Sequence, residues 1–440
     1  MLPALLVLML ASDPAPLSLE EAERIALDQS PDVRTANQGV VGALADVRSE
    51  RGGMLPKLHV DGQLQYWGSP YSINFLSELP PQFTSLLPPN TSIPPTTVRD
   101  ATTSTLSVTL SQPLTQLWGQ WRQLDADRLA REAALAHLDA AGRDLLFAVR
   151  QDYFRLLQAF GNAGIARDSV EQLESHVAVA KEQYAAGTLV KADLLRSEVQ
   201  LGQARQDLVK ANATLAEAQA TLDQALDRPS DQPIVAVDPF GDGALPEPKE
   251  GLEALTEAAL QSRPDVREAD LRREQAEVQV DVAWSQLVPG VTLSGQYEHT
   301  TGQLFFATDQ AYVGGTLSWD VWDWGAKYYA MQSARARAAQ SAETLRSTEL
   351  RLRTQVENAW QELTADRDAL KLAAEVVDQA EESFRLETER YRAQTATSTD
   401  LLDAQAALSQ AKLRLTNARY DYLTELAQLE DLVGEPLLGR

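Results

Sequence analysis

Residues 391–404 read YRAQTATSTDLLDA: a polar break followed by a helix start that carries two acids, Asp400 and Asp403. The same frame occurs 207 residues earlier, where residues 184–197 read YAAGTLVKADLLRS and Asp193 stands in register with Asp400. The offset holds on both sides of the break, at Val170 and Val377, Ala204 and Ala411, Leu208 and Leu415, Ala211 and Ala418, and Pro229 and Pro436. A repeat of this length constrains the fold before any local reading does. The chain therefore reads as a tandem duplication, each copy ending in a helical hairpin.

Around the breaks the helical signal is strong. No proline occurs between Pro113 and Pro229, and residues 326–433 contain neither proline nor glycine. Such an absence predicts helix with few interruptions. Leu194, Leu201, Leu208, Leu215 and Leu222 lie seven apart, and Leu401, Leu408, Leu415, Tyr422 and Leu429 repeat them. Sustained heptads specify coiled-coil packing. The arm before each break carries a matching seam, Val170, Leu173, Val177, Ala180 and Tyr184, copied as Val377, Ala380, Phe384, Glu387 and Tyr391 with a lapse at Glu387. At 1.5 Å per residue the arm from Ala326 to Ala393 spans roughly 100 Å and the returning arm, Ser398–Val433, roughly 54 Å. A helix of about 25 residues before the first strand of each copy adds roughly 38 Å, so the lengths predict one long helix beside two stacked short ones.

Those shorter helices have clear starts. Ser18-Leu19-Glu20-Glu21 fits a capping box. Ser30-Pro31-Asp32 supplies a cap, a proline at the first helical position and an acid in the first turn, echoed by Arg263-Pro264-Asp265. Each helix runs to a proline, Pro56 or Pro289, beyond which the period changes to two. Leu58, Val60, Leu64 and Tyr66 alternate with Lys57, His59, Asp61, Gln63 and Gln65, and a returning strand sets Leu106, Val108 and Leu110 against Ser107, Thr109 and Ser111. The second copy sets Val291, Leu293 and Tyr297 against Thr292, Ser294, Gln296 and Glu298, then Val313, Leu317, Trp319 and Val321 against Tyr312, Thr316, Ser318 and Asp320. Alternation with one apolar face marks a half-buried strand. Ten residues is also the length of a membrane-spanning strand; a soluble sheet covered on one face gives the same pattern. The first pair is joined by residues 68–104 with seven prolines, the second by a loop of about a dozen residues.

Composition narrows the function. A net charge of −24 argues against sequence-independent nucleic-acid binding. With no cysteine the chain has no disulfide, thiolate metal site, cysteine nucleophile or lipidated amino-terminal cysteine. The four histidines, His59, His137, His176 and His299, show no ligand spacing, and four methionines make no soft-metal relay. No cofactor or metal is expected, no glycine-rich phosphate loop is present, and no nucleophile, base and orienter meet in a recognisable motif, so an enzyme is not expected. Residues 1–16 resemble the apolar and cleavage regions of a secretory leader, without the basic residues that normally precede them. No apolar run is long enough for a transmembrane helix, so any crossing must use strands. The expected organisation is a leader remnant at 1–16, a first repeat at 17–228, a linker or small equatorial segment at 229–250 without catalytic signature, and a second repeat at 251–440.

Together, the Leu19 and Pro31 repeat starts, the paired strands and the Tyr-x-x-(Gly)-x5-Asp-Leu-Leu hairpins resemble the TolC-like outer-membrane efflux protein family over nearly the whole chain. The resemblance implies a mainly helical protein with a membrane β-barrel. Each chain would give a long coiled-coil helical barrel plus four β-strands, and a homotrimer would close a twelve-stranded barrel in the outer membrane of a Gram-negative bacterium, extending into the periplasm. Oligomerisation also follows independently, because open strand edges are not tolerated in lipid. The implied function is a passive exit duct for a tripartite efflux pump or type I secretion system, served by a periplasmic adaptor (membrane fusion) protein and an inner-membrane transporter. The alternative is a periplasmic coiled-coil adaptor or structural protein without a pore.

By the same resemblance Asp400 and Asp403 are the constricting acids of a gate; as residues they also suit the start of the returning helix. Asp193 and Tyr391 match the positions of a gate latch. Gly187, Thr188 and Leu189 match an adaptor-contacting tip, with Thr395, Ala396 and Thr397 in the second copy. The family often carries a glycine, and an arginine two residues later, where this chain has Gln394 and Ala396. Trp118, Trp121, Trp319, Trp322 and Trp324 cluster where strands give way to helices. They read as an aromatic girdle against outer-membrane lipid, or as ordinary packing at a corner.

Overall fold

The computed structural model describes residues 16–440, apart from 79, 85, 87, 89, 90, 230–233, 242, 394, 435, 439 and 440. The expected leader, except Pro16, lies outside the described residues, as does Gln394. The element order is α1 (Leu19–Gln29), α2 (Pro31–Gly53), β1 (Lys57–Tyr66), β2 (Tyr71–Ile73), α3 (Phe75–Glu78), α4 (Pro81–Thr84), β3 (Thr96–Pro113), α5 (Gln116–Ala185), α6 (Lys191–Ala225), α7 (Leu252–Ser262), α8 (Pro264–Ser285), β4 (Gly290–Gln303), β5 (Asp309–Ser318), α9 (Ala326–Arg392) and α10 (Ser398–Val433). Two compact units emerge: one takes the chain up to Val40, Ala134–Ala269 and Thr344–Arg440, the other Val41–Ala133 and Asp270–Glu343.

The second unit is built on one antiparallel sheet in the order β1-β3-β4-β5, with β2 also paired to β3. Arg99 of β3 faces Tyr71 of β2 on one side and Gln303 of β4 on the other, so β2 continues the rank of β1. Register decides the chemistry of the two faces. Leu58 pairs with Leu110 and Val60 with Val108, which in turn faces Tyr297. Tyr297 pairs with Ala311, Gly295 with Val313 and Val291 with Leu317. One face is therefore a continuous apolar field across all four long strands. The opposite face carries His59, Asp61, Ser107, Thr109, Gln296, Ser294 and Thr316. In the single chain the apolar field is open, with Leu64 75% and Val313 80% exposed. Among the described residues β1 and β5 each pair on one side only.

The strands depart from the sequence reading in extent. β3 begins at Thr96, well before the alternation becomes visible at Leu106, so much of the proline-rich segment is strand and short helix rather than loop. The threonines that fill its first half carry no apolar period, but their β-branching suits a pleated surface. β5 starts at Asp309 and ends at Ser318, which leaves Trp319 and Val321 beyond it.

The first unit is helical, and its core gathers Val149, Tyr153 and Phe154 of α5, Leu222 of α6, Leu255 of α7, Val356 of α9 and Leu423, Leu426 and Leu429 of α10. The starts follow the sequence: Ser18 Oγ accepts the Glu21 N–H, and α2 and α8 begin at Pro31 and Pro264. Residues 235–237, between α6 and α7, are stitched to this core. Leu17 and Ala236 form a parallel bridge. The buried Tyr153 hydroxyl lies 2.7 Å from the Leu17 carbonyl and 2.8 Å from that of Val237, and accepts the Val237 N–H at 2.9 Å. Arg150, held by Glu23 at 2.6 Å and Glu430 at 2.7 Å, ties α1 to α5 and α10. α10 ends at Gly434, whose φ of 78° gives the left-handed turn that glycine adopts without strain.

Candidate functional site

The two hairpin ends, both in the helical unit, form the site. At the first, Gly187 takes φ +79° and the Thr188 N–H and hydroxyl both donate to the Gln183 carbonyl, at 2.9 and 3.0 Å. The second closes in the same way: the Thr395 N–H and hydroxyl donate to the Arg390 carbonyl at 2.9 and 3.1 Å. The tips thus terminate α5 and α9 by satisfying carbonyls that a helix end leaves open. Gly187, Thr188, Thr395 and Thr397 are exposed, and Leu189 and Ala396 half-buried.

Thr397 caps α10 in a reciprocal box. Its hydroxyl oxygen accepts the Asp400 N–H at 3.2 Å, while the Asp400 carboxylate accepts the Thr397 N–H at 2.9 Å and its hydroxyl at 2.8 Å. These donors, the backbone N–H foremost, hold the Asp400 carboxyl below the usual carboxylate range, and the charge of Arg390 adds to the effect. Asp400 is thus a capping residue as well as a candidate gate acid. Asp403, also exposed, lies one turn further in and makes no hydrogen bond or ion pair among the described residues.

Tyr391 donates to Gln183 Oε1 at 3.2 Å, and its ring sits 5.6 Å from that of His176. Burial pushes the Tyr391 phenol up and the nearby Asp193 charge adds to this. The expected latch pair is therefore brought into one neighbourhood, but Asp193 spends its carboxylate on Arg196 at 3.7 Å and Tyr391 bonds Gln183 instead. Two further contacts join the hairpins: Arg196 donates to Thr399 Oγ1 at 2.6 Å, and His176 Nε2 lies 3.0 Å from Ser398 Oγ. Burial lowers the His176 pKa. Beside them opens a cleft of about 640 Å³ lined by His176, Val179, Phe384, Tyr391 and Leu401.

The five tryptophans read as a girdle lie in the sheet unit. Trp118, Trp121, Trp319, Trp322 and Trp324 are all exposed. Trp118 meets Trp284 edge-to-face at 5.3 Å, and Trp322 meets Trp324 at 5.7 Å. The other end of the sheet has its own aromatics: Trp67 donates to Thr103 Oγ1 at 3.0 Å under the Arg99 guanidinium, 3.8 Å away, and Phe305 and Phe306 are exposed beyond β4.

The family model described as "Outer membrane efflux protein" matches residues 24–228 and 255–435, most of the chain and both copies. The chain belongs to that family. It is 22% identical over 428 residues to the outer membrane protein TolC of Vibrio cholerae, covering 95% of this chain and 90% of that one. It is 25% identical over 295 residues to the pyoverdine export outer membrane protein OpmQ of Pseudomonas putida, covering 65% and 62%. The solved structure of CusC, described in terms of folding and transmembrane channel formation, superposes with a TM-score of 0.80 at 18% identity over 94% of this chain and 91% of that one. This outer-membrane efflux protein therefore has the fold of the TolC-like channels.

Several members of the site escape a reading by motif. His176, Gln183, Arg196, Ser398 and Thr399 make the cross-hairpin contacts; His176 and Gln183 lie outside the matched frame, and the other three fall in it where the two copies differ. The duplication does hold one signal: Arg196 stands 207 residues before Asp403. Copy one pairs Asp193 with a cation three residues on, whereas copy two puts a second acid there. Trp284 and Trp67 were likewise visible only as single residues.

Proposed function

We propose that this efflux-family protein is a passive outer-membrane duct. Three copies join their sheets into a twelve-stranded barrel, and their hairpins close the periplasmic end until a partner opens it. The observation that carries this reading is the sheet's amphipathic register together with its two unpaired edges. An apolar field facing lipid and a polar face toward water is the pattern of a membrane barrel, and an unpaired edge in hydrocarbon is too costly to leave open. All four long strands alternate in direction, so β5 of one copy runs antiparallel to β1 of the next and closure needs no inversion. In this reading residues 17–228 and 251–440 are the duplicated units, the 229–250 segment is a belt on the helical core, and Trp118, Trp121, Trp319, Trp322 and Trp324 form the interfacial girdle.

At the gate, Asp400 and Asp403 from three copies make two rings of carboxylates, with Asp193 and Tyr391 in the latch. The exposed tips Gly187–Leu189 and Thr395–Thr397 are the face offered to a periplasmic adaptor, which links the duct to an inner-membrane transporter. Energy enters through that transporter and the duct performs no catalysis. OpmQ's name supports export as the role of the relatives. Planar-bilayer recording of the purified protein tests the reading: small, cation-selective unitary conductance blocked by divalent cations supports it. Protein that never inserts, or a soluble monomer, overturns it in favour of a poreless coiled-coil role.

A further inference from the structure

His176 of α5 touches both arms of the second hairpin, one on each side of its break. Its Nε2 lies 3.0 Å from Oγ of Ser398, the buried first residue of α10. Its ring sits 5.6 Å from that of Tyr391, next to the last residue of α9, and Tyr391 donates to Gln183 of α5. Any movement that draws α9 and α10 away from α5 at this level breaks these contacts. Histidine is also the side chain whose ordinary pKa, about 6.5, lies within the pH range that living compartments cross.

An imidazolium finds no ion-pair partner here among the described residues. Thr397 caps α10, so the ring stands at the positive end of that helix's dipole. From α6, Arg196 brings a cation to the same turn by donating to Thr399 Oγ1 at 2.6 Å, and Asp193 is engaged with Arg196. From α10, Asp400 is held in the Thr397 cap. From α9, Glu387 pairs with Arg390, and Arg392 lines the cleft beside the ring. From α5, Asp168 and Glu171 line the same cleft without bonding the imidazole. Burial lowers the His176 pKa and no neighbouring charge offsets it. We propose that His176 fastens the second hairpin to the first while neutral, and that its protonation releases the hairpin and opens the duct. The proposal rests on the duct reading, with the hairpins as its gate. Contacts that exclude the charged ring stabilise closure fully above the free imidazole's value of about 6.5, and that contribution shrinks as pH falls below it. Glu425 works the other way. Its carboxyl, pushed up to about 7, takes up a proton as pH falls and sheds repulsion from Glu362 and Asp366 of α9 and Asp421 of α10.

Planar-bilayer recording of the full-length protein on either side of the imidazole's range, at about pH 7.5 and about pH 5, tests it. The native protein should conduct roughly three-fold more, or better, in acid as the released state gains population. His176→Gln keeps a polar partner for Ser398 but cannot take up charge, so it should stay at the native neutral-pH level at both values. His176→Arg, charged throughout, should conduct at the raised level at both. Native conductance that is unchanged or lower in acid overturns the proposal, as does a rise in acid that survives His176→Gln. A His176→Gln channel raised at both values would mean that the ring only packs, and also overturns it. Should His176→Gln fail to assemble, His176→Phe keeps a ring against Tyr391 without the titration and is read by the same outcomes. Protein that conducts alike at both values sinks this proposal and leaves the duct standing, whereas protein that conducts at neither sinks the duct and this proposal with it.

Discussion

At the residue scale the two acids of the second hairpin are not equivalent. Asp400 is occupied by the cap of its own helix, whereas Asp403 keeps a free carboxylate on the same face one turn on. In the proposed gate a cation would compete with one N–H and one O–H donor of Thr397 for Asp400 and with water alone for Asp403. Asp403→Asn should therefore weaken divalent block of the conductance by roughly three- to ten-fold, and Asp400→Asn by less, since one ring charge contributes on the order of 1 kcal/mol in water-rich surroundings. Equal effects in single-channel titrations would contradict the division of roles. Asp400 and Asp403 were legible in the sequence because they sit in the repeated frame. The capping role of Asp400 was only one of two readings there, since cap and gate ask for the same residue type at the same place.

A second residue makes a prediction about pH. Glu425 of α10 is pushed up to about 7, chiefly by burial and then by Glu362 and Asp366 on α9 and by Asp421 on α10. The folded protein thus binds a proton that the unfolded chain releases near its ordinary value. Between that value and about pH 7 the native state holds more protons, so this group's contribution to stability falls as pH rises and the full penalty is felt above pH 7. Glu425→Gln should raise the melting temperature at pH 8 by a few degrees and change it little at pH 4. Thermal melts of the two proteins at both pH values check this, and an equal shift at both would refute the buried acid cluster as the cause.

At the scale of elements, the helices were the most legible part. The residues predict α9 and α10 nearly to the residue and the starts of α1 and α2 from the caps at Ser18 and Ser30, and the proline-free run predicts helix over α5 and α6 without bounds, because a helix is specified by near neighbours. Strand edges were harder. β3 begins in Thr96-Thr97, where the sequence offers β-branching without an apolar period, and β5 stops before Trp319 because the pairing with β4 is exhausted at Gly290–Ser318. The segment between α6 and α7 reads as a linker or a small equatorial segment because its prolines break helix, and several of its acceptors are held by side chains distant in sequence. Tyr420 and Tyr422 donate to Asp238 at 3.1 Å and to the Pro246 carbonyl at 2.7 Å, and Tyr153 secures Leu17 and Val237. Tyr153→Phe should cost about 1–2 kcal/mol by removing the hydroxyl's bonds to the Leu17 and Val237 carbonyls, while the Val237 N–H keeps its bond to the Leu17 carbonyl. Hydrogen exchange should quicken at Leu17 and Val237 ahead of the helical core. Unchanged protection there would mean the segment is held by its apolar contacts alone.

For the whole molecule, the argument turns on what one chain leaves undone. Ten large apolar side chains, Leu58, Val60, Leu64 and Tyr66 of β1 among them, lie open on one face of the sheet, far beyond what a soluble monomer ordinarily exposes. The cross-hairpin contacts at His176, Arg196 and Tyr391 were out of reach of the sequence, since they depend on how two hairpins pack side by side. The amphipathic sheet was legible because period two survives in each strand separately. What the register adds is that the four apolar stripes merge into one field, with edges at β1 and β5.

Those edges supply the most direct test. The chain has no cysteine of its own, and β3 and β4 separate β1 from β5 within a chain, roughly 14 Å at 4.8 Å per strand and beyond disulfide reach. Val60→Cys combined in turn with Ala311→Cys, Val313→Cys, Gly315→Cys or Leu317→Cys therefore reports only contacts between copies. After oxidation in the membrane, a band of three covalently joined chains and none larger is predicted for the pair in register. Monomer alone across the whole series would contradict a barrel completed by neighbouring chains.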